Sequence, residues 1–157
     1  MTTETAYTKA SALCATREHC CFDIREKLLN WGIDDETSKK IISRLVEEKF
    51  IDESRYAQFY ARDKFKFNGW GKQKMIWTLR LKKIPEKIIQ TAIETIDPDD
   101  YENKLLYLLQ EKSKKTKEKD TVKKRAALIR FAQSKGFETD EIIRIMNTAN
   151  KNSANLF

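Results

Sequence analysis

At 157 residues, with 35% charged residues and only four Gly and two Pro, the chain suits one small domain with few tight turns. No apolar run approaches the roughly 18 residues that span a bilayer, and Met1-Thr2-Thr3-Glu4 lacks the basic and apolar regions of a signal peptide, so a cytoplasmic protein without a membrane partner is expected. The net charge of +7 favours a polyanionic partner.

Apolar residues recur at helical spacing almost throughout, which predicts an all-α fold. Residues 7–15, 22–31 and 36–48 read as the helices of a first module, 1–50. Gly32 is a C-terminal stop, while Asp34, Asp35 and Glu36 put negative charge where the next helix dipole favours it. Ile41, Ile42, Leu45 and Val46 are expected to face inward. A second module, 51–97, opens with Asp52 as N-cap and with Tyr56, Phe59 and Tyr60 as an aromatic side. Phe67-Asn68-Gly69-Trp70-Gly71 ends that helix, a second runs to Lys82, and Pro85-Glu86 starts the third. The third module, 98–157, follows the cap Asp97-Pro98-Asp99-Asp100. Its first helix holds Tyr101, Leu105, Leu106, Leu108 and Leu109, a lysine-rich connection follows, and Val122, Ala126, Leu128, Ile129 and Phe131 lie on the next. Residues from Lys151 onward read as a frayed tail.

The three modules share one register. Ile24 and Leu28 lead to Gly32-Ile33, Met75 and Leu79 to Lys83-Ile84, and Leu128 and Ala132 to Gly136-Phe137, with Ile42 and Leu45, Ile93 and Ile96, and Met146 and Ala149 following. Self-similarity at a period near fifty residues points to tandem three-helix units, each burying its apolar face against a neighbour in an elongated, curved stack. The second helix of module two has another apolar pair, Trp77 and Leu81, nearly opposite Met75 and Leu79. Packing between modules is the expected use, with a partner surface as the alternative.

Cys14, His19, Cys20 and Cys21 put four candidate metal ligands within eight residues, but adjacent Cys20 and Cys21 cannot point the same way on a helix. Free thiols are expected, with no metal and no cofactor. One histidine, no Gly-rich phosphate loop and no nucleophile motif argue against an enzyme. Basic residues gather in two belts: nine Lys or Arg from Arg62 to Lys87 against Asp63 and Glu86, and nine from Lys112 to Arg130 against Glu118 and Asp120. Phe65, Phe67, Trp70 and Trp77 interleave the first, as rings that stack on unpaired bases or equally as core residues.

The run Phe50-Ile51-Asp52-Glu53-Ser54-Arg55-Tyr56-Ala57 through Phe59-Tyr60, then Gly71, Met75, Leu79 and Ile84, resembles the central signature of the RecX family, bacterial regulators of the RecA recombinase. Arg17-Glu18-His19, Asp23-Ile24 and Lys27-Leu28 are similar to that family's first-module pattern; Cys20 stands where the family usually has Ser, and Lys83 where it has Gly. The resemblance implies a protein that lies in the groove of a RecA filament on single-stranded DNA and either restrains strand exchange and ATP turnover or promotes filament disassembly; a monomer is expected, with double-stranded DNA a further ligand. It carries over Arg55, Lys72 and Lys74 as contacts, to which the basic belts add Arg62, Lys64, Lys66, Arg80, Lys123, Lys124, Arg125 and Arg130. Asp52, Tyr56 and Ala57 are better explained by capping and packing. The alternative is a stand-alone DNA-binding protein of helix-turn-helix-like modules without sequence preference, although no Arg, Asn or Gln cluster for base reading marks the third helices.

Overall fold

The computed structural model describes residues 1–153 and 156–157, and the regular elements among them are nine α-helices. They are α1 (Thr3–Thr16), α2 (Cys21–Asn30), α3 (Asp35–Glu47), α4 (Glu53–Asn68), α5 (Lys72–Leu81), α6 (Glu86–Glu94), α7 (Pro98–Lys115), α8 (Thr121–Ser134) and α9 (Thr139–Asn152). The fold is an all-α tandem of three-helix repeats. Short polar side chains start the helices by accepting from orphan backbone donors: Asp34 from the Thr37 N–H at 3.3 Å, Asp52 from Arg55 at 3.1 Å, Asp97 from Asp100 at 3.0 Å and Asp120 from Lys123 at 3.0 Å. Cys20 at the start of α2 makes no such bond.

The repeat register is visible in the backbone. Gly32, Lys83 and Gly136 have φ of 84°, 61° and 101°, the left-handed region that closes a helix C-terminus. In each case the next residue donates back to the helix: Ile33 to the Leu28 carbonyl at 3.0 Å, Ile84 to Leu79 at 3.2 Å and Phe137 to Ala132 at 3.1 Å. Lys83 adopts the glycine geometry without being glycine, so the middle turn carries strain that its two counterparts avoid.

Backbone contacts divide the chain into two compact units, Met1–Tyr60 with Leu79–Ala92, and Ala61–Thr78 with Ile93–Phe157. In the first unit, α1, α2 and α3 pack mutually around Ala6, Tyr7, Ala10, Ile24, Leu28, Ile33, Ile41, Leu45 and Ile51. The second unit is built on α7, α8 and α9, which pack mutually and bury Tyr101, Leu105, Leu109, Leu128, Phe137, Ile142 and Met146.

Several expectations fail on tertiary grounds. Val46 is 45% exposed, so the inward stripe of α3 is carried by Ile41 and Leu45, with Ile42 half-buried. Trp77 and Leu81 are 61% and 52% exposed rather than buried. Val122 is also exposed. Lys112, Lys114 and Lys115 belong to the last turn of α7, where the helix dipole favours cations, rather than to a connection. Lys151 and Asn152 are helical, and Asn150 trades hydrogen bonds with the Phe157 backbone. The tail expectation for Ala154 and Asn155 lies outside the described residues.

Candidate nucleic-acid interface

The second unit contains the strongest convergence of basic and aromatic side chains. Gly69, at φ 65°, ends α4, with the Trp70 N–H donating to the Lys64 carbonyl at 3.1 Å. The start of α5 is then fixed by three bonds from distant residues. Gly71 N–H donates to the Lys135 carbonyl at 2.7 Å, Gln73 N–H to the Gly136 carbonyl at 3.0 Å, and Lys72 N–H to the Tyr101 hydroxyl at 2.9 Å. A Cβ on Gly71 would fall on the Gly136 and Phe137 backbone, and one on Gly136 would fall on Lys74, so only two glycines allow this approach. Because these α5 donors are already satisfied, the helix start is a positioning device rather than an anion cradle.

The position of the turn decides where the lysines go. Lys64 and Lys74 place their ammonium groups 5.0 Å and 4.6 Å from the centre of the half-buried Trp70 ring. Lys135 Nζ donates to the Asn68 carbonyl at 2.6 Å, and desolvation together with the Lys74 charge holds its pKa below the usual lysine value. Lys72 Nζ lies 4.6 Å from the Tyr101 ring, whose hydroxyl burial raises above the ordinary phenol value. Tyr101 in turn packs 6.0 Å from Phe65 and 5.0 Å from Phe137. Lysines held on aromatic rings, together with Lys135, whose charge is disfavoured first by desolvation and then by Lys74, form a positive field that attracts an anion.

The other candidates lie apart from this cluster by role. Arg62 and Lys66 line a cleft with Lys104. Lys123, Lys124, Arg125 and Arg130 form a second basic stretch on α8, with Arg125 donating to the Asn147 side-chain oxygen at 2.8 Å. In the first unit, Arg55 Nε sits 2.5 Å from Glu18 Oε1 and Nη1 3.8 Å from Asp52, and Arg80 is paired with Glu86. Their charges are met by carboxylates. Asp52 is the α4 cap, Ala57 is fully buried, and buried Tyr56 reaches Asp23 at 3.5 Å, where Lys82 also binds at 2.6 Å.

Burial disfavours the thiolate form of all three cysteines. Burial pushes Cys20 up to about 12 and Cys21 up to about 11, and also raises Cys14. His19 is buried, its Nδ1 3.0 Å from the Arg17 carbonyl, and desolvation lowers its pKa. No metal-holding group of His, Cys, Asp and Glu occurs among the described residues. No helix among them is long and apolar enough to cross a membrane. Sequence reasoning missed Lys135 and Lys104. The only signal for Lys135 was its place beside the conserved-geometry turn at Gly136, and nothing local says that this turn meets Gly71.

Comparison with known proteins places these features in a family frame. Residues 52–93 match the family model for the second three-helix domain of RecX, and residues 99–146 match that for the third. The chain is 32% identical over 126 residues to the regulatory protein RecX of Clostridium tetani, covering 79% of this chain and 57% of that one. It is 32% identical over 121 residues to that of Clostridium perfringens, covering 75% and 56%, so it spans little more than half the length of these relatives. For the RecX of Vibrio parahaemolyticus the identity is 27% over 133 residues, with 85% and 84% covered. A crystal structure of regulatory protein RecX superposes with a TM-score of 0.84 at 20% identity, over 92% of this chain and 71% of that one. RecX from Lactobacillus salivarius does so with 0.82 at 19%, over 95% and 97%. At such identities the structural likeness is one of fold.

Proposed function

The chain belongs to the RecX family, and on that premise we propose that it regulates a RecA recombinase by occupying the RecA filament on single-stranded DNA. Occupancy restrains strand exchange and the linked ATP turnover, which makes the protein a monomeric, cytoplasmic factor of DNA recombination and repair rather than an enzyme. The observation that carries the reading is the convergence of Lys64 and Lys74 on Trp70, with Lys135 bound to the Asn68 carbonyl beside the second unit's glycine-fixed turn. A phosphate backbone is an anion that such a cluster of cations attracts, and a ring beside it supports bases without reading their order. Regulation then needs only a preference for one filament state, since a ligand shifts an equilibrium as far as its affinities differ.

The test is DNA-dependent ATP hydrolysis by RecA with increasing amounts of this protein, against an unrelated basic protein at equal concentration. Inhibition by this protein alone, together with its association with preformed filaments, supports the reading. Equal inhibition by both proteins, with no filament association, leaves a plain DNA binder.

A further inference from the structure

A cleft of about 550 Å³ opens on the second unit, away from any role so far assigned. One wall is α4, whose Arg62 and Lys66 recur at helical spacing on one face. The other is α7, which presents Asp100, Lys104 and Tyr107 at successive turns, and Asp97 lies on the connection that leads into it. Lys104 Nζ donates to the Lys66 carbonyl at 3.2 Å, which brings its ammonium to α4. Tyr107 is 57% exposed, so its ring has a face available to a ligand.

We propose that this cleft takes one unstacked nucleotide of the single strand, with its base on Tyr107 and its phosphate between Lys66 and Lys104. The inference deepens the filament reading and rests on it, because the filament's strand supplies the nucleotide. Three features select this occupant. The volume falls in the range of about 300–1,000 Å³ typical of small-ligand sites. Lys66 and Lys104 bring two ammonium groups to the cleft, the second drawn onto α4 by its bond to the Lys66 carbonyl, and a phosphodiester is an anion they can hold between them. Asp97 and Asp100 are acceptors only, and so match the amino groups of base edges. Stacking on an exposed ring is tolerant of base identity, in keeping with a regulator that meets arbitrary sequence.

The experiment measures binding of the full chain, by anisotropy, to a labelled single-stranded oligonucleotide and to one of equal length and charge with abasic sites in place of bases. Deoxyadenosine monophosphate serves as competitor, and filament association is read in parallel. The wild type is expected to prefer the base-bearing strand by about tenfold, within the range measured for one stacked base. Tyr107→Leu should erase that preference and Tyr107→Trp should keep it, with circular dichroism confirming that both fold. Competition by the mononucleotide as strong as by the strand would instead assign the cleft to a free nucleotide and overturn the proposal. Equal wild-type affinity for both strands, or a preference that survives in Tyr107→Leu, overturns it while leaving salt-sensitive filament binding intact. Loss of filament association in Tyr107→Leu without change in either strand affinity means a peptide occupant, which also overturns it. No binding to either strand removes the nucleic-acid reading together with this one.

Discussion

The two compact units spend their cations differently. The first carries 13 Lys and Arg against 12 Asp and Glu, and its ion pairs include Arg25–Asp35, Arg44–Glu48, Arg55–Glu18, Arg80–Glu86 and Lys82–Asp23. The second carries 18 against 12 and sets Lys64 and Lys74 over Trp70, Lys72 over Tyr101, Lys104 over Phe65 and Lys112 over Phe131, besides the Lys114–Glu111 and Arg144–Glu102 pairs; the first also holds Lys9 over Trp31 and Arg44 over Tyr7. A carboxylate cancels a cation's field, whereas an aromatic face holds the cation in place and leaves its charge to act outward. Family membership alone does not distinguish the units. The excess of positive charge does, and it supports the proposal of polyanion contact by the second.

The largest expected effect comes from the two glycines that make the contrast sharpest. Gly71→Ala forces a Cβ into the Gly136 and Phe137 backbone, so a loss on the order of 3 kcal/mol in urea unfolding is expected, with loss of oligonucleotide binding. Gly32→Ala in the first unit meets no atom within 4 Å and should lose only about 1–2 kcal/mol for its left-handed φ. Equal losses at the two sites would break the comparison.

Next in size is a charge test. Replacing Lys64 and Lys74 by Gln should reduce the slope of log affinity against log salt by about 0.7 per lysine on single strands. Arg55→Gln should leave that slope alone and instead destabilise the fold by about 1–3 kcal/mol, because Glu18 Oε2 is already a buried oxygen without a partner. A fall in salt slope for Arg55→Gln, with none for the lysine pair, would reverse the assignment of roles.

A smaller gain tests the repeat itself. Lys83→Gly relieves a left-handed L-residue and should stabilise by about 1 kcal/mol, seen as a rise in Tm. No rise would mean that the lysine geometry is offset elsewhere. The smallest effect is a pH response confined to the first unit. Burial lowers the folded pKa of His19 below its usual 6.5, so the unfolded chain binds the proton more readily. The stability is therefore fully present above about 6.5 and is lost as pH falls through the lowered folded value. Thermal unfolding from pH 8 to pH 5.5 should show that loss in the wild type and a flatter profile in His19→Gln.

Which of these features the sequence disclosed follows from their range. The caps at Asp34, Asp52 and Asp97 and the turns at Gly32, Lys83 and Gly136 are decided within a few residues, so spacing and residue type reveal them. The site depends on contacts across more than sixty residues: Gly71 against Gly136, and Lys135 against Asn68. No local rule encodes them. Trp77 and Leu81 illustrate the opposite error, since an apolar pair at i and i+4 is consistent with burial but exposure is set by what the fold brings near. Lys64 and Lys66 are two residues apart on α4, yet one meets Trp70 and the other a cleft, a division the charge count could not show.

The most direct test of the account is co-sedimentation with preformed RecA filaments on single-stranded DNA, comparing wild type with the variant in which Lys64 and Lys74 are both Gln. The wild type is expected to pellet with filaments, and the variant, with helical content unchanged, is expected to stay largely in the supernatant. Equal pelleting of the two proteins, or no pelleting of the wild type at all, would contradict it.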